Sequence, residues 1–287
     1  MAQFILSAFA DEGAREGILG QIAVLKENGV SYIEPRGLDH GNISEYTPEQ
    51  AKELKKVLDD SGIGVSAMGS PFGKVPISQD DEDFEEHFEL FKVCVENACI
   101  LGTENIRMFS FYFDEGEAYG DYKDLVFERL AMFSDYSLKS GVYCCHENER
   151  GIYGSNDTRC LEILKAFEGK IKGVFDPANY ILDGVEILPA YEMLEPYIEY
   201  FHVKDARFSD RRIVPAGKGD AGFPELLKRF KKKDGKRFLT IEPHLKVFKG
   251  FAELEKEGGG NVIDEFAYPD NKTAFKAAAD AIKELIK

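Results

Sequence analysis

GVYCCHENERGIYG, residues 141–154, runs a short apolar stretch straight into a knot of polar groups. Val142, Tyr143, Cys144 and Cys145 have the β-branched, aromatic and small apolar character of a buried strand. His146, Glu147, Asn148, Glu149 and Arg150 follow without a gap, and Gly151 supplies a turn. A strand that ends in two carboxylates, an imidazole and a guanidinium calls for a fold that gathers strand ends in one place.

Seven other runs share this character: FILSAFA from Phe4, SYIEP from Ser31, GVSAMG from Gly64, NIRMFS from Asn105, KGVFD from Lys172, EYFHVKD from Glu199 and RFLTIEP from Arg237. Helix-like segments with 3.6-residue periodicity lie between them. TPEQAKELKKVLDDSG is the clearest: Thr47 can cap, Pro48 suits the first helical position, Gln50 completes a capping box and Gly62 ends the helix. Ile18, Ile22 and Leu25 form a second stripe before Gly29, Leu161, Leu164 and Phe167 a third before Gly169, and TAFKAAADAIKELIK closes the chain. Strands alternating with helices imply a parallel sheet of the α/β class, and eight such units in 287 residues favour a closed (β/α)8 barrel, the TIM-barrel architecture. A doubly wound open sheet competes, but it normally carries a glycine-rich phosphate turn after its first strand. Here that position holds Ser7 to Gly13, SAFADEG, with no GxGxxG. No Pro/Gly/Ser-rich linker divides the chain, so a single domain over 1–287 is expected.

The formal net charge of −16, from 52 acidic and 36 basic residues, disfavours nucleic acid and anionic membranes as partners. It leaves room for a cation in a local acidic cluster. Five cysteines with no CxxC pair suggest neither a disulfide framework nor a thiolate zinc site. Cys144 and Cys145, adjacent on a strand, should point to opposite faces as buried thiols. The N-terminal apolar run is short and lacks a basic flank, and no stretch approaches the roughly 20 apolar residues of a membrane helix. A cytoplasmic location is expected, with homo-oligomerisation left open.

In such a barrel the C-terminal ends of the strands converge on one rim, where active sites form. The second strand ends at Glu34-Pro35-Arg36-Gly37 and the fifth at His146-Glu147-Asn148-Glu149. The sixth ends at Asp176-Pro177-Ala178-Asn179, the seventh at His202-Val203-Lys204-Asp205 and the eighth at Glu242-Pro243-His244. Glu147, Asp176, His202 and Glu242 thus come from four successive strands, and oxygen and imidazole donors so placed suit one divalent cation. Any single strand-end carboxylate is more often a helix cap or a loop anchor, the role expected of Glu34. His40 and His87 fall in polar segments read as exposed.

The order and spacing of EN in HENERGIYG, DPANY, HVKDA, VPAGKGDAGFPELL and the terminal IEP, together with SAFADE, EPRG and SPFGK, resemble the xylose-isomerase-like TIM-barrel superfamily. More narrowly they resemble its sugar phosphate isomerase/epimerase members, with ketose 3-epimerases and inosose dehydratases as relatives. The resemblance implies one divalent metal (Mn, Mg, Co or Zn) on Glu147, Asp176, His202 and Glu242, with Glu147 and Glu242 also exchanging protons. The implied substrate is a small sugar or polyol. His146, Asn148 and Glu149 would orient Glu147 or line the pocket, and Asn179, Lys204, Arg207 and Glu149 are substrate-binding candidates. Arg36, Lys74 and Lys218 are weaker ones. Several ketose epimerases carry a His where Asn179 stands, and Asn cannot carry a proton. Epimerisation, aldose–ketose isomerisation and dehydration of a keto-polyol therefore stay open, as does a glycoside-processing subunit of the same fold. A DNA-repair endonuclease on this barrel, which uses several metals and more histidines, is the remote alternative.

Overall fold

The computed structural model describes residues 1–113, 118–247 and 266–287, with the side chains of 246 and 247 set aside. Eight strands coincide with the eight apolar runs: β1 Gln3–Ala8, β2 Tyr32–Ile33, β3 Gly64–Val65, β4 Asn105–Met108, β5 Tyr143–Glu147, β6 Ile171–Phe175, β7 Ile198–Val203 and β8 Lys236–Ile241. β4 to β8 and β1 pair in parallel in that order, and β2 pairs in parallel with β3. The ring closes through backbone bonds. Glu34 N donates to Ala8 O at 3.0 Å between β1 and β2, and Met68 N to Asn105 O at 2.8 Å between β3 and β4. This is the α/β TIM barrel that the alternation implied.

The helices α1 Ile18–Glu27, α2 Pro48–Ser61, α3 Asp81–Leu101, α4 Lys123–Ser137, α5 Asp157–Ala166, α6 Pro177–Leu182, α7 Ile187–Leu194, α8 Phe223–Phe230 and α9 Asn271–Leu285 alternate with the strands. The capping box on α2 forms as read: Thr47 Oγ1 accepts from Gln50 N, and Gln50 Oε1 accepts from Thr47 N. Gly62 ends that helix at φ 70, in the left-handed region where a glycine carries no Cβ clash. On α5 the buried stripe is Cys160, Ile163 and Leu164, so Leu161 lies at its edge rather than its centre. Among the described residues no helix is long and apolar enough to cross a membrane.

The main core fills the space between ring and helices. Its densest part gathers around Phe133 of α4, which meets Phe72, Phe84, Phe88, Phe91 and Phe111. His87 belongs to this cluster and is not the exposed residue that its polar neighbours suggested. Its ring packs on Phe72 and Phe133, and Nε2 accepts from Gly73 N at 3.1 Å. Helical periodicity explains the error. Phe84, Phe88 and Phe91 face inward on α3, and position 87 falls on the same face despite Glu85, Glu86 and Glu89.

Burial, helped by the nearby Arg129 cation, lowers the His87 pKa from 6.5 to about 4. Between those values the unfolded chain binds more protons than the folded one, so stability is full above pH 6.5 and falls as pH drops towards 4. Melting temperature should therefore decline through that window. His87→Gln keeps an acceptor for Gly73 N and cannot be protonated, so its profile should be flatter. An unchanged slope in the variant would show that His87 carries none of the dependence. Some slope should remain, because burial also lowers His146 to about 4.

Candidate functional site

Strand parity decides which side chains meet on the barrel axis. On β7, Phe201 turns outward against Phe230 of α8, so Tyr200, His202 and the following Lys204 turn inward. The same alternation brings Cys145 and Glu147 inward on β5, Val174 and Asp176 on β6, and Thr240 and Glu242 on β8. Ala67, Cys145, Val174 and Tyr200 form a small apolar layer across the interior, separate from the main core. One step further along each strand the layer becomes polar.

Glu147, Asp176, His202 and Glu242 are at most 3% exposed, and each offers one donor atom within 4.8 Å of the others. His202 Nδ1 lies 2.9 Å from Glu147 Oε1 and 3.3 Å from Glu242 Oε2. Lys204 Nζ lies 2.7 Å from Asp176 Oδ2 and 3.2 Å from Glu242 Oε2. Arg107, on β4, reaches Glu147 Oε2 at 3.3 Å while its other nitrogens donate to Gly69 O and Ser70 O.

The EN and DPAN sequences are one hydrogen-bonded unit. Asn148 donates from Nδ2 to Asp176 O and accepts Asp176 N at Oδ1, so it clamps the backbone of Asp176 rather than orienting Glu147. Asp176 caps α6 by accepting Asn179 N at 3.0 Å. The Asn179 amide then returns to Asn148 O at 2.9 Å and to Glu147 Oε1 at 3.4 Å. His146 points the other way, as parity requires. Its Nε2 meets Ser110 Oγ at 2.9 Å, and that hydroxyl accepts Gly154 N, so His146 anchors the 151–155 loop and does not line the pocket.

Charge is balanced by proximity. Burial opposes ionisation of Glu147, but His202 and Arg107 outweigh it and hold the carboxyl at about 2. Burial likewise opposes ionisation of Glu242, where Lys204 and His202 hold the group well below the usual range. Burial, with Glu242 and Glu147 nearby, pushes Asp176 up to about 7 against the pull of Lys204. His202 is held well above its ordinary value by Glu147 and Glu34, against burial. The group thus retains protons that a cation would replace. Asp176 Oδ2 is buried, and the Lys204 ammonium 2.7 Å away occupies the side where a cation would bind. Three carboxylate donors and one imidazole around it fit a divalent ion with an oxygen and nitrogen shell.

Above this layer opens a cavity of about 940 Å³, whose lining includes Glu12, Arg36, Glu149, Asn179, Lys204 and His244. Glu149 lines it while paired with Lys74 at 2.7 Å. Arg207 is half-buried, lies outside the described lining and stacks over Phe266 at 5.1 Å. Lys218 is exposed. A second cluster, Glu12, Glu242 and His244, also converges, but Arg36 already sits among it, 3.1 Å from Glu12 and 3.5 Å from Glu242.

Two inward residues were not read from the sequence as part of the site. Arg107 lies mid-strand in NIRMFS, and only strand parity could have marked it. Glu34, for which the sequence favours a loop anchor over a place lining the rim, is fully buried, with Oε1 3.5 Å from His202 Nε2 and 3.1 Å from the Tyr200 hydroxyl. Its strand-end position was the available signal.

A parallel eight-stranded barrel with an acid-rich centre at its strand ends defines a TIM-barrel protein with its site on the C-terminal rim. The profile of the xylose isomerase-like TIM barrel family matches residues 22–285, and the chain belongs to that family. Solved structures similar in fold include the probable 3-DHS dehydratase AsbF of Bacillus anthracis, at 16% identity and TM-score 0.71 over 99% of both chains. An L-ribulose 3-epimerase aligns at 17% identity and TM-score 0.71, over 100% of this chain and 95% of that one. The IOLI protein, crystallised with a zinc atom, aligns at 16% identity and TM-score 0.71, over 100% of this chain and 98% of that one. At these identities the likeness is one of fold. No curated protein sequence matches the chain.

The HVKDA and VPAGKGDAGF sequences meet at Asp205, which is fully buried. Its Oδ1 accepts Ala206 N and Ala221 N, and its Oδ2 accepts Gly217 N and Gly219 N, all within 3.1 Å. This carboxylate shapes the 215–221 loop. Asp205→Asn sets an NH2 group against two of those donors, so unfolding free energy should fall by at least about 2 kcal/mol, the scale of buried unsatisfied donors. Denaturant titration with an unchanged midpoint would exclude that role.

Proposed function

We propose that this chain is a divalent-metal-dependent sugar or sugar phosphate isomerase or epimerase, acting as one domain over 1–287. The observation that carries this reading is the convergence of Glu147, Asp176, His202 and Glu242, buried, from four successive strand ends. A Mn, Mg, Co or Zn ion there would chelate neighbouring substrate oxygens and stabilise the anion left when a proton leaves the carbon next to a carbonyl. That the similarly folded IOLI protein was crystallised with a zinc atom supports a divalent ion in this barrel. The five cysteines, none in a disulfide, suit a reducing cytoplasmic setting.

The protein's own groups then divide the work. Glu242 is the base that faces the substrate, since its Oε1 lies on the side of the cavity-lining Arg36 and His244. Glu147 is the second carboxylate able to exchange a proton across the substrate. Lys204, Asn179 and Glu149 line the cavity, where they bind substrate hydroxyls. A second reading, loss of a β-hydroxyl from the same anion, is favoured by Arg107. Because this guanidinium holds Glu147 Oε2, the two glutamates are unequal bases. A dehydratase needs only one base for its first step.

A screen of ketoses, aldoses and keto-polyols in D2O, read by NMR, tests the class. Deuterium should enter the carbon next to the carbonyl only with metal-loaded protein. Exposure to a chelator should abolish this exchange, and added divalent ion should restore it. His202→Ala removes the nitrogen donor and should lower metal content well below one ion per chain. Full occupancy by elemental analysis would sink the ligand assignment. Glu147→Gln and Glu242→Gln keep an oxygen donor but lose the base, so each should lose at least about 10² in rate while retaining measurable metal. Near-normal turnover in either metal-loaded variant removes that glutamate from the mechanism.

A further inference from the structure

The two nitrogens of His202 face different surroundings. Nδ1 points to the centre of the acidic group, 2.9 Å from Glu147 Oε1 and 3.3 Å from Glu242 Oε2. Nε2 points away and makes no hydrogen bond. The acidic oxygen closest to it is Glu34 Oε1, at 3.5 Å. Both side chains are fully buried. A neutral imidazole can give a lone pair to a cation from one nitrogen only if the other carries the proton. Left to Glu147 alone, the ring would place its proton on Nδ1, the nitrogen that has to be free.

We propose that Glu34 is the positioning residue for His202: facing Nε2, it selects the tautomer protonated there and frees Nδ1 for the cation. The role rests on the metal reading above. Glu34 is itself well placed for it. Its backbone N is tied to Ala8 O, and the Tyr200 hydroxyl donates to the same Oε1 that faces the imidazole. Oε2 is buried and makes no hydrogen bond, which costs free energy. Phe9 packs edge-on to the His202 ring at 5.1 Å and limits its rotation, so the carboxylate has only the proton's position to decide. Carboxylates that hold the far nitrogen of a metal-bound imidazole are a general device, and losing one weakens metal binding about 10–100-fold.

The test is Co²⁺ titration of the metal-free full-length protein, with visible absorption and calorimetry as readouts. Wild type should bind one ion per chain. Glu34→Leu should bind about 10–100-fold more weakly and show an altered Co²⁺ absorption band. Glu34→Gln keeps an acceptor oxygen that Tyr200 holds in place, so it should recover part of the affinity. Tyr200→Phe should lose less than Glu34→Leu. If Glu34→Leu does not fold, Glu34→Gln and Tyr200→Phe carry the comparison. Wild-type affinity and an unchanged Co²⁺ band in folded Glu34 variants, whatever their melting temperature, would overturn the positioning role and leave the metal reading intact. A wild-type chain that takes up no Co²⁺ would overturn both.

Discussion

Three carboxylates and an imidazole meet on the barrel axis where water does not reach them, and much of the surrounding structure exists to make that tolerable. Burying like charges together is costly unless each is paired and hydrogen-bonded. Lys204 stands between Asp176 and Glu242, Arg107 holds Glu147, and His202 lies between the two glutamates. Arg107 is in turn pinned by Gly69 O and Ser70 O and stacked near Phe9 and Phe109. The close approach of Gly69 to Phe9 and Pro35 O, at 2.8 Å for an added Cβ, shows how little room that arrangement leaves. The compensating cations come from β4, beside Glu147, and from the end of β7, between Asp176 and Glu242.

The fold was legible because its signals are local. Eight apolar runs of strand length, separated by capped helical segments, leave few architectures available. Thr47, Gln50 and Gly62 work as their types dictate, because a cap depends on neighbours within one helical turn. Errors arose where a residue's role is set by distant chain. His87 looked solvated among Glu85, Glu86 and Glu89, yet its fate was decided by Phe72 and Phe133 from other elements.

The site divides along the same line. Asp176 and Asn179 can be grouped from sequence because the cap that joins them spans three residues. That Asn148 serves Asp176 rather than its neighbour Glu147 could not be read, since the bond crosses from β5 to β6. Parity along β5 separates His146 from Glu147, and a contiguous string such as HENE hides that division. HVKDA shows it again: His202 and Lys204 face the axis, whereas Asp205 turns to the 215–221 loop and holds four backbone N–H groups.

The same geometry restricts the direction of chemistry. Below the acidic layer lie Ala67, Cys145, Val174 and Tyr200, a small apolar cluster packed across the barrel. On the other side, among the described residues, opens the cavity lined by Glu149, Asn179, Lys204 and His244. From there the two glutamates are not equivalent. Glu147 is met by protein groups at both oxygens, by Arg107 at one and by Asn179 and the His202 ring at the other. Glu242 has one oxygen turned towards Arg36 and the half-exposed His244, at 3.5 and 3.6 Å. A carboxylate held on both sides is better suited to fixing a cation than to collecting protons, and one that borders the cavity is suited to both. The asymmetry is built by Arg107, a residue on β4 that belongs to neither conspicuous motif.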